Sequence, residues 1–239
     1  MVLIGSSIYL DVLSKFGIGG AHPGGLELTK EIFKNVKMNK ASHLLDVGCG
    51  TGQTAAYLAA EFGIKVTGID INPVMVEKAR NRMAQYQLPV EIIQGSIEKC
   101  PLIDETFDFI ISESVLSFVN KPRALKEIYR LLKKDGRFFA NEMITNEPLT
   151  AIDEEEINQF YGLDSVLMGK EWVAIFNQTG FKHTEIIKQS PPVFQNQSLP
   201  EFQLSKDIGP YHYSILNRHF NIVEKYQGIL NYGIFSCTK

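Results

Sequence analysis

Asp46 closes an apolar run two residues before Gly48, in Leu44-Leu45-Asp46-Val47-Gly48-Cys49-Gly50-Thr51-Gly52, which reads as a buried strand entering a glycine-rich turn. Glycines at alternating positions admit positive φ and let the backbone pass close to a ligand. A helix over Thr54 to Glu61 follows at once, an arrangement suited to a nucleoside cofactor. A second short apolar strand, Lys65-Val66-Thr67-Gly68-Ile69-Asp70, ends in a carboxylate that can accept hydrogen bonds from both hydroxyls of a ribose. The dinucleotide fingerprint Gly-x-Gly-x-x-Gly fails here, because Gln53 stands where the third glycine is required.

Leu-Asp-Val-Gly-Cys-Gly-Thr-Gly, with its acid just before the first glycine, instead resembles motif I of the class I S-adenosylmethionine-dependent methyltransferases. The similarity continues through Gly68-Ile69-Asp70-Ile71-Asn72-Pro73-Val74-Met75, Gln94-Gly95-Ser96-Ile97-Glu98, Phe107 to Leu116, and Ala124 to Phe139. Together these cover roughly residues 40–145, in the order and with the separations that a doubly wound sheet needs. The resemblance implies S-adenosyl-L-methionine as cofactor and the branch that methylates small molecules. It implies an α/β fold: a Rossmann-like doubly wound, seven-stranded, mainly parallel sheet with an antiparallel terminal strand and a mostly helical C-terminal cap insertion.

Site residues carried over from the resemblance sit at the carboxyl ends of the strands. Gly48, Cys49, Gly50 and Gly52 would form the cradle of the methionine and ribose, Asp46 would meet the methionine ammonium directly or through water, and Asp70 would take the ribose hydroxyls. Ile71 and Met75 would pack on the adenine. The adenine edge is usually read by an Asp, where this chain has Ser96; Ile97 can still supply a backbone amide. Glu113 is placed to contact the methionine, with Leu116, Ser117 and Phe118 along the floor of an acceptor pocket.

A sulfonium methyl is already electrophilic, so the protein must align an acceptor lone pair and exclude water, with a base needed only where the acceptor must lose a proton. Two candidate bases stand out. Glu142, in Phe139-Ala140-Asn141-Glu142-Met143, is expected at the end of the fifth strand facing the acceptor; His22, in Gly19-Gly20-Ala21-His22-Pro23-Gly24-Gly25, lies on a loop able to close over the cofactor. Tyr211-His212-Tyr213 could wall the acceptor pocket.

The elements that must position these groups alternate in type. Strands are expected near 43–47, 65–69, 90–94, 107–112 and 136–144, with helices near 26–36, 53–62, 73–86 and 121–133. Beyond them come an acid-rich helix start at Asp153, a helix over Lys170 to Thr179 closed by Gly180, and a strand over Phe181 to Lys188. The reading is a single domain over 1–239, with an N-terminal lid and helix over 1–40, a cofactor-binding core over 41–145 and its completion over 146–190. A cap insertion over 191–231 and a terminal strand over 232–239 follow. Phe194, Phe202, Tyr211, Tyr213, Phe220, Tyr226 and Tyr232 make the C-terminal third rich in aromatics, suiting an apolar or aromatic acceptor, while the core reads as mostly aliphatic.

A chain of 239 residues can bury a large core. A net charge of -3 and a pI near 6.0 argue against nucleic acid or an anionic membrane as the main partner. The three cysteines, Cys49, Cys100 and Cys237, show no metal spacing and suit a reducing cytoplasm. The apolar opening Met1 to Leu10 lacks a basic lead and is broken by Asp11 and Lys15, unlike a signal peptide or membrane span. Expected partners are a small-molecule methyl acceptor and, at most, a second copy of the chain: a monomer or homodimer. A protein or RNA methyltransferase of the same fold, a noncatalytic cofactor-binding protein and a nicotinamide oxidoreductase are the competing readings. Base-directed chemistry is disfavoured, because Ser112-Glu113-Ser114-Val115 replaces the Asn/Asp-Pro-Pro-aromatic signature and Cys100-Pro101 reverses the Pro-Cys order of a cytosine-C5 nucleophile.

Overall fold

The computed structural model describes residues 7–190 and 200–239. The first six residues of the apolar opening, the start of the insertion at Pro191, and Phe194 lie outside the described residues. Seven strands form one sheet: β1 (His43–Val47), β2 (Lys65–Asp70), β3 (Glu91–Gln94), β4 (Phe107–Glu113), β5 (Leu132–Thr145), β6 (Lys182–Ser190) and β7 (Leu230–Thr238). Their order is β3-β2-β1-β4-β5-β7-β6, with β1 to β5 parallel and β7 antiparallel to both of its neighbours. The sequence order reverses between β1 and β4, so their carboxyl ends open the crevice where ligands bind in such sheets.

Helices cover both faces. On one side lie α2 (Gly25–Phe33), α3 (Gln53–Phe62) and α4 (Pro73–Tyr86), packing Phe33, Leu58 and Val76 against Leu44, Val66 and Phe139. On the other lie α5 (Lys121–Leu131) and α7 (Gly169–Thr179), whose Leu125, Ile128, Trp172 and Phe176 meet Leu45, Ile110, Phe138 and Phe235. With both faces covered, the central strands are near-continuous apolar runs. The core is mostly aliphatic, as expected, although Phe33, Phe107, Phe138, Phe139, Trp172, Phe176 and Phe235 are among its largest fully buried side chains. Wide gaps between twisted strands and helices are filled by rings, with Phe138 edge-on to Phe176 at 5.9 Å and stacked on Phe181 at 5.6 Å.

Several expected boundaries move. Helix α2 stops at Phe33 rather than Val36, and α5 stops at Leu131 because Leu132 already pairs with Phe107. Lys133 then reaches back to Asp108 at 2.9 Å. Strand β5 thereby begins before the expected 136, carrying an irregularity where Asp135 takes φ 62°. The terminal strand starts at Leu230 rather than 232.

The cap is assembled from distant stretches and not from the late insertion alone. Helices α1 (Ile8–Phe16), α6 (Ala151–Tyr161) and α8 (Pro210–Lys225) share a separate apolar cluster of Tyr9, Leu13, Ile157, Phe160, Tyr161, Ile222 and Tyr226. Of the expected cap aromatics, Tyr226 and Tyr232 are buried, while Phe202, Tyr211, Tyr213 and Phe220 are exposed. Among the described residues no helix is long and apolar enough to cross a membrane.

Candidate active site

The turn after β1 is shaped before anything binds. Gly48 takes φ 66°, and a Cβ there would stand 2.3 Å from Val115 Cγ2, so the position admits no side chain. The amides of Gly48 and Cys49 donate to Ile69 O at 2.8 and 3.1 Å, and Gly50 N donates to Asp70 Oδ2 at 2.9 Å. These bonds lock the turn to the end of β2 and leave its surface as the floor of a cavity of about 560 Å³.

Gly48, Cys49, Gly50, Asp46, Asp70, Ile71, Met75, Ser96, Ile97 and Glu113 all line that cavity. Gly52 does not. It takes φ 75° at the start of α3, where a Cβ would meet Met83 Cε at 2.7 Å, so its role is to let α4 pack closely. Asp70 Oδ1 accepts from Asn72 N at 2.8 Å, which fixes the carboxylate while each oxygen keeps a free lone pair. Ile71 is exposed and Met75 buried at the mouth, giving an apolar pair on one wall. Ser96 Oγ accepts from Glu98 N at 3.1 Å, leaving its hydroxyl hydrogen and one lone pair for a ligand.

Asp46 is the test of whether the cavity fits a cationic methyl donor. Its carboxylate is buried and Oδ2 has no hydrogen-bond partner, a costly state unless a ligand supplies a donor or a positive charge. Burial, then repulsion from Glu113 and Asp70, pushes its carboxyl well above the usual range, and burial also raises Asp70. Asp46, Asp70 and Glu113 stand among five carboxylates that line this cavity, with Asp11 and Glu98, an acidic lining that fits a cationic cofactor.

Glu113 ties the site together. Thr29 Oγ1 donates to Oε1 at 2.6 Å and Thr54 Oγ1 to Oε2 at 2.7 Å, joining α2 and α3 to the end of β4. His22 Nε2 lies 3.3 Å from Oε2, close enough for ion pairing but without hydrogen-bond alignment. On the other side of the ring, Asn141 Nδ2 is 3.3 Å from His22 Nδ1 and donates to Pro23 O at 3.0 Å. The loop histidine is thus buried between β4 and β5.

A second cavity, of about 490 Å³, adjoins the first; His22, Ser114 and Phe118 line both. Tyr9, Tyr161, Leu163, His219 and Leu230 continue its walls into the cap. Ser117 and Phe118 line it as expected, but Leu116 is fully buried elsewhere.

Glu142 requires the main correction, since it lines neither cavity. The side chain is fully buried, with Oε1 accepting from Val115 N and Leu116 N at 3.2 and 2.9 Å, and Oε2 from Ser117 N and Ser117 Oγ at 3.2 and 2.8 Å. It anchors the loop that forms the wall between the cavities. Tyr211 and Tyr213 are exposed, Tyr213 lying edge-on to Phe16 at 5.1 Å, and His212 accepts from Gly209 N at 3.0 Å; none of the three lines the second cavity. Residues that sequence reasoning passed over include Thr29, Thr54, Asn141, Tyr9, Tyr161 and His219. Only Thr54, within the first turn after motif I, carries a positional signal.

Residues 45–140 match the family described as a methyltransferase domain. Over 98% of its length the chain is 35% identical to the whole of an uncharacterized methyltransferase of Bacillus subtilis, YodH. Over 51% of its length it is 34% identical to a quarter, 25%, of phosphoethanolamine N-methyltransferase 3 of Arabidopsis thaliana. Its fold superposes with a TM-score of 0.79 on Haemonchus contortus phosphoethanolamine N-methyltransferase 2 in complex with S-adenosyl-L-methionine, at 19% identity, covering 97% of this chain and 57% of the other.

Proposed function

The chain belongs to the class I S-adenosylmethionine-dependent methyltransferases, and from that premise we propose that it methylates a small-molecule acceptor held in the second cavity, by direct displacement, with His22 taking the acceptor's proton. The observation that carries this reading is the shared wall: one histidine, buried at the junction, touches the space of cofactor and acceptor alike.

When bound, S-adenosylmethionine supplies an electrophilic methyl group on sulfur, with a neutral thioether as leaving group. Asp46 would hold its ammonium, Asp70 its ribose, and Ile71 and Met75 its adenine, with Ser96 and Ile97 at the base edge. Residues of the loop before α2, of α1 and of α8 line the second cavity, where they would shield the junction from water and orient the acceptor. Glu113 beside His22 stabilises the imidazolium formed as the ring accepts a proton, while Asn141 and the Pro23 carbonyl fix the ring's position. A cavity of about 490 Å³ under a helical cap fits a metabolite better than a protein side chain or an RNA base presented from a large surface. Three unbridged, buried thiols agree with a reducing cytoplasmic setting.

The test is label transfer from methyl-labelled S-adenosylmethionine in a crude extract, separated into low-molecular-mass, protein and RNA fractions. Label confined to the low-mass fraction, and lost with His22→Asn at unchanged S-adenosylhomocysteine affinity, is the expected result. Label in protein or RNA overturns the acceptor class, and full turnover by His22→Asn removes the histidine as base.

A further inference from the structure

The acceptor cavity has a chemical character of its own at the end away from His22. Three helices distant in sequence bring Tyr9, Tyr161 and His219 together: Tyr9 meets Tyr161 edge-on at 4.9 Å between ring centres and lies 5.0 Å from His219. Tyr161 Oη and His219 Nδ1 are 2.9 Å apart. Phe118 completes the enclosure, 6.5 Å from Tyr9 in a stacked arrangement.

Charge is absent from this end. Among the described residues no lysine or arginine lines the cavity. Its two carboxylates are already matched, Glu27 with Lys30 at 2.7 Å and Glu201 with Arg82 at 2.8 Å. Burial holds His219 down to about 4, so its ring is neutral at physiological pH. The phenol of Tyr161 is the natural donor to a neutral imidazole nitrogen. That places the remaining imidazole proton on Nε2, which has no hydrogen-bond partner among the described residues.

Resting on the proposed methyl-transfer reading, we propose that this cavity accepts an uncharged, largely aromatic or apolar molecule and that His219, oriented by Tyr161, reads one hydrogen-bond-accepting atom on it. A phosphate would enter a site with no cation to meet it, and an ammonium one with no free carboxylate; both would lose hydration without replacement. A donor in the cavity wall left unpaired by the wrong ligand is a source of discrimination.

One ring system in three charge states tests this: 2-naphthol, 2-naphthyl phosphate and 2-naphthylmethylamine, titrated by calorimetry into full-length protein saturated with S-adenosylhomocysteine. The expected result is binding of 2-naphthol at least tenfold tighter than either charged analogue, with His219→Phe weakening naphthol about tenfold and leaving S-adenosylhomocysteine affinity unchanged. The unchanged product affinity shows that His219→Phe is folded. Preference for the phosphate or the amine, binding of none of the three, or a His219→Phe variant that binds naphthol as the parent does, overturns the inference. Failure of S-adenosylhomocysteine to bind the parent protein would instead count against the methyl-transfer reading itself.

Discussion

Replacing Glu142 with glutamine should make the protein's stability less dependent on pH while impairing catalysis. Burial raises the Glu142 carboxyl from an ordinary 4.5 to about 7, against the lowering effect of its hydrogen bonds from Leu116, Ser117 and Val115. Below pH 4.5 the group is protonated in native and unfolded chains alike, and its contribution is fully present. Between 4.5 and about 7 the native chain keeps a proton that the unfolded chain releases, so stability falls as pH rises; above 7 the contribution is gone. Each pH unit across that window is worth about 1.4 kcal/mol, so the loss is on the order of 3 kcal/mol. Glutamine is close in shape to the protonated acid and does not ionise. Urea unfolding at pH 5 and pH 8 should therefore show the parent losing on the order of 3 kcal/mol more than Glu142→Gln. Asp46 and Asp70 drift in the same direction but do so in both proteins, and they cancel in the comparison. Catalysis moves the other way. Glutamine turns one of two accepting oxygens toward the Val115–Ser117 amides into a donor, so the wall between the cavities shifts and kcat/KM should fall about tenfold, equivalent to 1 to 2 kcal/mol. Equal pH dependence in the two proteins would refute the buried-acid argument, and unchanged kcat/KM would refute the positioning role.

Asp70→Ala should weaken S-adenosylhomocysteine binding by about 1–3 kcal/mol, read by calorimetry, and an unchanged Kd would discredit the ribose contact. Gly48→Ala should lower Tm by several degrees and abolish cofactor uptake, because the new methyl meets Val115; Gly48→Ala with Val115→Ala should recover part of the Tm but not all, since φ 66° remains strained. Full recovery would mean the clash alone matters. Phe138→Ala should cost about 3–5 kcal/mol in urea unfolding, a cost below 1 kcal/mol being incompatible with a ring packed between Phe176 and Phe181.

What could be read from the residues alone is what short-range chemistry determines. The turn over Asp46 to Gly50 and the carboxylate of Asp70 follow from strand, glycine and helix signals lying within a few residues of one another. Asn72 before Pro73 announces the start of α4 in the same way, and its side chain accepts from Val74 N and Met75 N. The parallel sense of the first five strands follows from right-handed crossovers. Misreadings arise where a distant segment decides the outcome. Glu142 lies near the cleft end of β5, but nothing local says that the loop after β4 folds back over its carboxylate. Gly52 shares the motif with Gly48, yet it faces Met83 of α4 and does not line the cavity. The aromatic floor of Tyr9, Tyr161 and His219 exists only once α1, α6 and α8 have met, and no spacing in the chain encodes it.

The most direct test of the central claim is calorimetry of the purified full-length protein with S-adenosylmethionine, S-adenosylhomocysteine and NAD in parallel. Saturable one-to-one binding of the two adenosyl compounds, with no heat from NAD, is the predicted result. A folded protein that takes up neither of them, or that prefers NAD, would contradict it.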